Sequence, residues 1–219
     1  MHVPWDGITL SREVTGYPEN RRAELADAAR GCNWSRLLDV VSNHPELVNS
    51  WRLGDPSWFA PLHHAANGGA PVDVVRQLLA LGAWRTLQNA RGERPVDVAG
   101  RTGHHSLREA LDPVYRDSVP IGVLLKIQSH FHEVIRGRVD DLVEKYALRL
   151  PELEPLLEIE HSRVRFGVPG MYGAFAYGFE SFGVEARLVA ESWCRIVGGS
   201  GQRHEITSAG SRLVEEGFV

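Results

Sequence analysis

The stretch Phe59-Ala-Pro-Leu-His-His-Ala-Ala-Asn-Gly-Gly69, followed by Val74-Val-Arg-Gln-Leu-Leu-Ala-Leu-Gly-Ala83, decides the reading of the N-terminal half. Pro61 suits the first turn of a helix, where its missing N–H is not needed and its fixed φ is already helical. Leu62, Ala65 and Ala66 follow at helical spacing, and the two alanines let a neighbouring helix approach closely. Gly68-Gly69 stops that helix by supplying positive φ. Val74, Val75, Leu78 and Leu79 form a second apolar stripe, which Gly82 ends. The stretch predicts a helix–turn–helix–loop unit.

The pattern recurs on both sides. Upstream, Leu25-Ala-Asp-Ala-Ala-Arg-Gly31 is followed by Leu37-Leu38 and His44-Pro-Glu-Leu-Val-Asn49. Downstream, Pro95, Val96 and Ala99 stand where Pro61, Leu62 and Ala65 stood, and Gly103-His-His-Ser-Leu-Arg-Glu-Ala-Leu111 follows. A recurrence of about 33 residues marks a stacked array. The unit resembles an ankyrin repeat, and three copies span roughly residues 20–112, about the minimum that can bury a continuous core. The resemblance implies an all-α array that recognises a protein partner through its surface, with His63 bonded to neighbouring backbone. The departures are Ala60 and Arg94 in place of the usual Thr, Asp97 in place of His, and a first unit with neither Pro nor His at those positions. The long loop Ser50-Trp-Arg-Leu-Gly-Asp-Pro-Ser-Trp-Phe59 offers Trp51 and Trp58 as partner-binding residues, with packing under the loop as the alternative.

Composition narrows the classes. With 219 residues, 43% of them hydrophobic and 24% charged, the chain has room for two domains. A net charge of -4 with interspersed signs leaves no electrostatic footprint for nucleic acid. A basic amphipathic stripe, a leader and a long apolar run are all missing, so the expectation is a bacterial-type cytoplasmic protein with no membrane contact. Cys32 and Cys194 make no disulfide framework. Gly198-Gly-Ser-Gly201 lacks the Lys-Ser/Thr of a phosphate loop, so it reads as a turn, and no cofactor is expected.

The expected organisation is an N-terminal extension over 1–19, the array over 20–112 and an α+β domain over 113–219. After Asp112-Pro113, the residues Ile121, Leu124, Leu125, Ile127, Phe131 and Ile135 predict a helix over 121–136, and a second helix over about 139–148 follows Gly137. Beyond Pro155 the pattern changes to strands over 158–166, 171–182, 185–197, 202–207 and 212–218, separated by Gly and Pro. Two helices followed by an antiparallel sheet resemble the SnoaL-like or ketosteroid-isomerase-like fold, which implies an apolar cavity. No catalytic set of that family matches residue by residue.

Chemistry concentrates near the hairpin at Gly198. If Gly198 and Gly201 flank a two-residue turn, Arg195 faces His204 and Trp193 faces Ile206. One face then carries Glu191, Trp193, Arg195, His204 and Ile206. His204 is the expected proton-exchanging group, Glu191 its orienting partner and Arg195 the anion holder. Trp193, Tyr172, His130 and His132 are the expected ligand-binding residues. A cross-strand polar ladder on a wet sheet face is the alternative. His130 and His132 point about 200° apart on a helix and cannot share an ion. The fifth position of His132-Glu-x-x is Arg136, so no metal site is expected. The functional expectation is protein recognition coupled to a small-molecule-binding or regulatory α+β domain. The runner-up is a cofactor-independent lyase, isomerase or cyclase.

Overall fold

The computed structural model describes residues 3–10, 17–159, 163–195 and 199–217. The chain divides into two units, Thr9–Val114 and Met1–Ile8 joined with Tyr115–Val219.

The first unit is helical. It contains α1 (Tyr17–Arg30), α2 (Trp34–Asn43), α3 (Pro61–Asn67), α4 (Val72–Ala80), α5 (Pro95–Arg101) and α6 (Arg108–Leu111). Side-chain chemistry marks the starts of α2, α3 and α5. The Asn33 side chain accepts the Arg36 N–H at 3.1 Å ahead of α2. His63 Nδ1 accepts the Ala60 N–H at 3.4 Å, which leaves Nε2 to donate to the Glu93 carbonyl at 3.2 Å. In α5 the carboxylate of Asp97 takes the role of that imidazole and accepts the Arg94 N–H at 2.9 Å. Helices α1, α3 and α5 lie side by side, and α2, α4 and α6 back them. Leu37, Val41, Leu62, Ala65, Val75 and Leu78 fill the seam between the layers.

The ankyrin expectation for 20–112 is corrected here. The last segment has no full outer helix, only the short turn His105–Leu107 and the four-residue α6. The helices of the N-terminal half belong to an α+β chain with a six-stranded sheet in its C-terminal half, so the fold class is not an ankyrin-repeat array.

The second unit holds β1 (Val3–Trp5), α7 (Ile121–Lys145), β2 (Val164–Gly167), β3 (Gly173–Ser181), β4 (Arg187–Cys194), β5 (Ser200–Thr207) and β6 (Gly210–Gly217), with the strands in sheet order β1-β2-β3-β4-β5-β6. β1 runs parallel to β2, and the other neighbours are antiparallel, so the expected purely antiparallel sheet is corrected to a mixed one. A buried anchor holds β1 in place. The Trp5 indole N–H donates to the Arg149 carbonyl at 3.0 Å, and the Arg149 N–H donates to the Gly7 carbonyl at 2.8 Å.

The two expected helices run on from one another as α7, parted by a kink at Val139, two residues past Gly137, where φ is -146° and ψ is 32°. Its stripe Leu124, Ile127, Phe131 and Ile135 is buried, and the Phe131 ring lies 4.7 Å from that of Tyr177. Across the strands, Val164, Tyr177, Ala190 and His204 form one row beneath it. A sheet with a parallel edge strand, β1, is not the antiparallel meander on which the SnoaL-like resemblance rested, and that resemblance is corrected too.

Candidate functional site

Register decides what the sheet presents. β4 and β5 pair Trp193 with Gly201, Glu191 with Arg203 and Ala190 with His204. Trp193 therefore meets a residue five positions from the expected Ile206. An odd shift turns one strand's side chains to the other face relative to its neighbour. His204 shares the α7-facing side with Ala190 and Ser192, whereas Glu191 and Trp193 point the opposite way. Arg195 lies past the end of β4, exposed, with its N–H donating to the Tyr172 carbonyl at 3.2 Å. The structure does not bring the expected acid–base set together. The physical reason is a connection longer than two residues between Cys194 and Ser200, in which 196–198, including Gly198, lie outside the described residues.

The opposite face carries a lattice of ion pairs. Glu191 bonds Arg163 at 2.7 Å and approaches Arg203 at 3.9 Å, while Glu180 holds Arg187 at 3.1 Å and Arg203 at 3.2 Å. Glu205 completes it with Arg212 at 2.7 Å and Arg187 at 3.6 Å. Hydrogen bonding from Arg212 holds the Glu205 carboxyl below its ordinary value. Trp193 rims a hollow of about 240 Å³ whose other sides include Glu191, Arg203 and Glu215. The Arg165 guanidinium lies 5.8 Å from the centre of its ring.

The remaining expected ligand residues are scattered. Tyr172 is 74% exposed at a φ of 51°. His130 Nδ1 is 3.1 Å from Glu133 Oε2 on the open side of α7. His132 is half-buried and bonded to the Pro151 carbonyl at 2.8 Å, and burial pushes its pKa down. Trp51 is buried and lies 6.3 Å from the half-buried Trp58, so packing under the loop accounts for the pair.

The helical unit has its own concave feature. Three hollows follow one another along α1, α3 and α5, with volumes of about 330, 390 and 480 Å³. The first two share Ser57, Phe59 and Asn67, and the last two share Arg101. Phe59 divides the groove, with its ring 5.5 Å from His63 and 5.3 Å from His64. Paired charges mark it along its length: Arg30 with Asp55 at 2.5 Å, Arg101 with Glu93 at 2.6 Å and Arg108 with Asp112 at 3.8 Å. Burial works against the Asp55 carboxylate, yet bonds from Ser57 and Arg30 carry its pKa below the ordinary value. Arg101 and Asn89 do the same for Glu93. Burial, with help from the nearby Arg30, lowers the His64 pKa to about 4, so its imidazole is neutral at pH 7.

Sequence reading passed over this groove because its residues carry other duties. Asn67 precedes the glycines that end α3, and Asn89 closes the Asn89–Glu93 loop by accepting the N–H groups of Arg91 and Glu93 at 2.8 and 3.0 Å. The visible signal is the charge placed in successive loops, at Asp55, Arg91 and Glu93.

Among the described residues, no group of three His, Cys, Asp or Glu is placed to hold a metal, and no helix is long and apolar enough to cross a membrane. No family model matches the chain, and no curated protein matches it. The ankyrin and SnoaL-like assignments therefore have no family match behind them. The chain is similar to a chain in the solved structure of the predatory endopeptidase Bd0816 from Bdellovibrio bacteriovorus in complex with the immunity protein Bd3460, with 20% identity and a TM-score of 0.36 over 56% of this chain and 67% of that one. That likeness is too distant to assign a fold or an activity.

Proposed function

We propose that the protein is a recognition protein whose helical unit binds an extended segment of a partner protein. The observation that carries this reading is the run of three joined hollows across α1, α3 and α5. Adjacent helices pack about 8–10 Å apart, so the run is about 20 Å long, the reach of about six extended residues. Its chemistry suits a peptide backbone. The exposed Asn67 presents its amide beside the apolar ring of Phe59.

Charge favours an acidic segment. The carboxylates of Asp55, Glu93, Asp97 and Asp112 already accept bonds or ion pairs from groups within the unit. Arg91, by contrast, is exposed at the middle hollow, which Arg101 also lines and shares with the last one. A carboxylate on the segment adds a partner for these guanidinium groups without leaving a buried charge unpaired.

The test is selection from a displayed library of linear peptides on the full chain, followed by affinity measurement. Enriched sequences carry Asp or Glu, and they lose about tenfold or more in affinity on Asn67→Arg, which fills the exposed middle of the groove. Lys126→Gln, at an exposed position of the other unit, leaves their affinity unchanged. Failure to enrich any linear sequence, or equal binding to the Asn67→Arg variant, overturns the reading.

A further inference from the structure

The α7-facing side of the sheet holds a second, unrelated feature. Four polar atoms there are buried without a hydrogen-bond partner: Tyr177 Oη, which lies near Glu152, and Arg138 Nε, Ser192 Oγ and His204 Nδ1 towards β4 and β5. A buried donor left unpaired costs roughly 1–3 kcal/mol, and more when the group is charged. The last three call for a common acceptor.

The backbone sets their positions. Arg138 precedes the irregularity of α7 at Val139, and its Nη2 donates to the carbonyl and the hydroxyl of Ser200, both at 2.8 Å. That bond ties the guanidinium to the start of β5. Ser192 is 4% exposed and lies opposite Gln202, which places it diagonally across from His204. Diagonal neighbours on a sheet are about 7–8 Å apart, too far for a direct bond and suited to a bridging group. Gln202 does not bridge the gap, because its amide N–H donates to Glu216 at 2.8 Å.

We propose that this seam between α7 and strands β4 and β5 binds a small oxyanion, a phosphate or a carboxylate, held by the Arg138 guanidinium, the Ser192 hydroxyl and the His204 imidazole. A water molecule accepts two hydrogen bonds, whereas the oxygens of an oxyanion accept from all three donors at once. The charged groups that face His204 are Arg138 from α7 and Glu216 from β6. Burial lowers the His204 pKa, Arg138 lowers it further and Glu216 opposes them. A bound anion adds negative charge beside the ring and favours its protonated form, so binding takes up a proton and tightens as pH falls.

The experiment follows the His204 ring resonances of the full chain by NMR as pH is varied, with assignment from the His204→Gln variant. Millimolar inorganic phosphate is one arm and acetate the other, each against chloride at equal ionic strength. Phosphate, acetate or both raise the His204 titration midpoint by about half a unit or more. The arm with the larger rise identifies the chemical source. Arg138→Gln and Ser192→Ala each abolish the rise. Ser192→Ala keeps the test decisive if Arg138→Gln does not fold, because it removes the donor from a packed position without adding volume. A midpoint that neither anion moves, or that moves equally in both variants, overturns the proposal.

Discussion

The helical and sheet units use different rules to place a side chain, and the difference shows in how each tolerates an error of one residue. In the helical unit, contact is set within a few turns. Leu62, Ala65 and Ala66 reach the seam because they lie three and four apart, and the boundaries of α3 follow from Pro61 and Gly68. In the sheet unit, contact is set by pairing across a connection. Glu191 and His204 are separated by the sheet itself because the link from Cys194 to Ser200 is not a two-residue turn. A helical stripe survives a slip at its ends. A strand pair that slips by an odd number exchanges its solvent face for its core face.

The largest expected effect tests the sheet's dependence on backbone approach. A Cβ at Gly173 would lie 1.7 Å from the Trp193 carbonyl oxygen and 2.7 Å from its carbon, both fixed backbone atoms. Gly173→Val is expected to destabilise the sheet unit by about 4 kcal/mol or more, the range of severe single substitutions. Gly167→Ala, where a Cβ meets nothing within 4 Å, serves as the control. Denaturant unfolding followed by far-UV circular dichroism separates the outcomes, because the signal of α1 to α6 should outlast that of the sheet and α7 in the Gly173→Val variant. Equal midpoints for the two variants would remove close approach as the reason for glycine at this position.

Much of both units is legible in the residues, and the losses have physical causes. Pro61 and Pro95 each open a helix, and the strands β3 to β6 overlap the expected segments 171–182, 185–197, 202–207 and 212–218, with β5 and β6 each beginning two residues earlier. β1 was not legible, since three residues carry no period, and only the pairing of Val3–Trp5 with Val164–Phe166 reveals it. Gly137 reads as a helix end, and helical geometry does break two residues later at Val139, while the stripe from Leu124 to Val143 buries on both sides of the kink. The family resemblance drawn from Leu62, Ala65 and their counterparts went beyond what those residues establish. Small residues at helical spacing specify close helix pairing, and the α+β chain uses such pairing without a complete outer helix after α5. At the candidate site, Trp193, Glu191 and His204 were legible as chemistry but not as neighbours. Arg138 carried no signal, because its role depends on where α7 crosses β5.

An acid titration sharpens the contrast further. His64 has a folded-state pKa of about 4 and an unfolded value near 6.5, so the unfolded chain takes up the proton first. Its contribution is complete above about pH 6.5 and is lost as pH falls towards 4. A shift of this size corresponds to about 3 kcal/mol at most. The His64→Gln variant is expected to remove that part of the acid slope, read from denaturant midpoints at intervals between pH 7 and 4. His132 and His204 in the sheet unit are also lowered by burial, and they supply what slope remains. A variant whose slope matches the wild type would assign the acid sensitivity to the sheet unit instead.

The smallest effect concerns the helical seam itself. Ala65 is fully buried in α3, and α3 lies between α1 and α5. A methyl group there sets how closely three helices approach. Ala65→Leu adds volume to a seam already filled by Leu37, Leu62 and Val98, and neither neighbouring helix can withdraw without opening contacts on its far side. Overpacking of this kind costs about 1–3 kcal/mol. Because the added bulk stays within the helical unit, the fluorescence of Trp51, Trp58 and Trp84 should report an earlier transition, while the sheet's amide hydrogen-exchange protection stays at its wild-type level. An unchanged midpoint would mean that the seam yields as a strand edge does, and the contrast between a seam fixed by packing and a sheet fixed by register would fail at its first term.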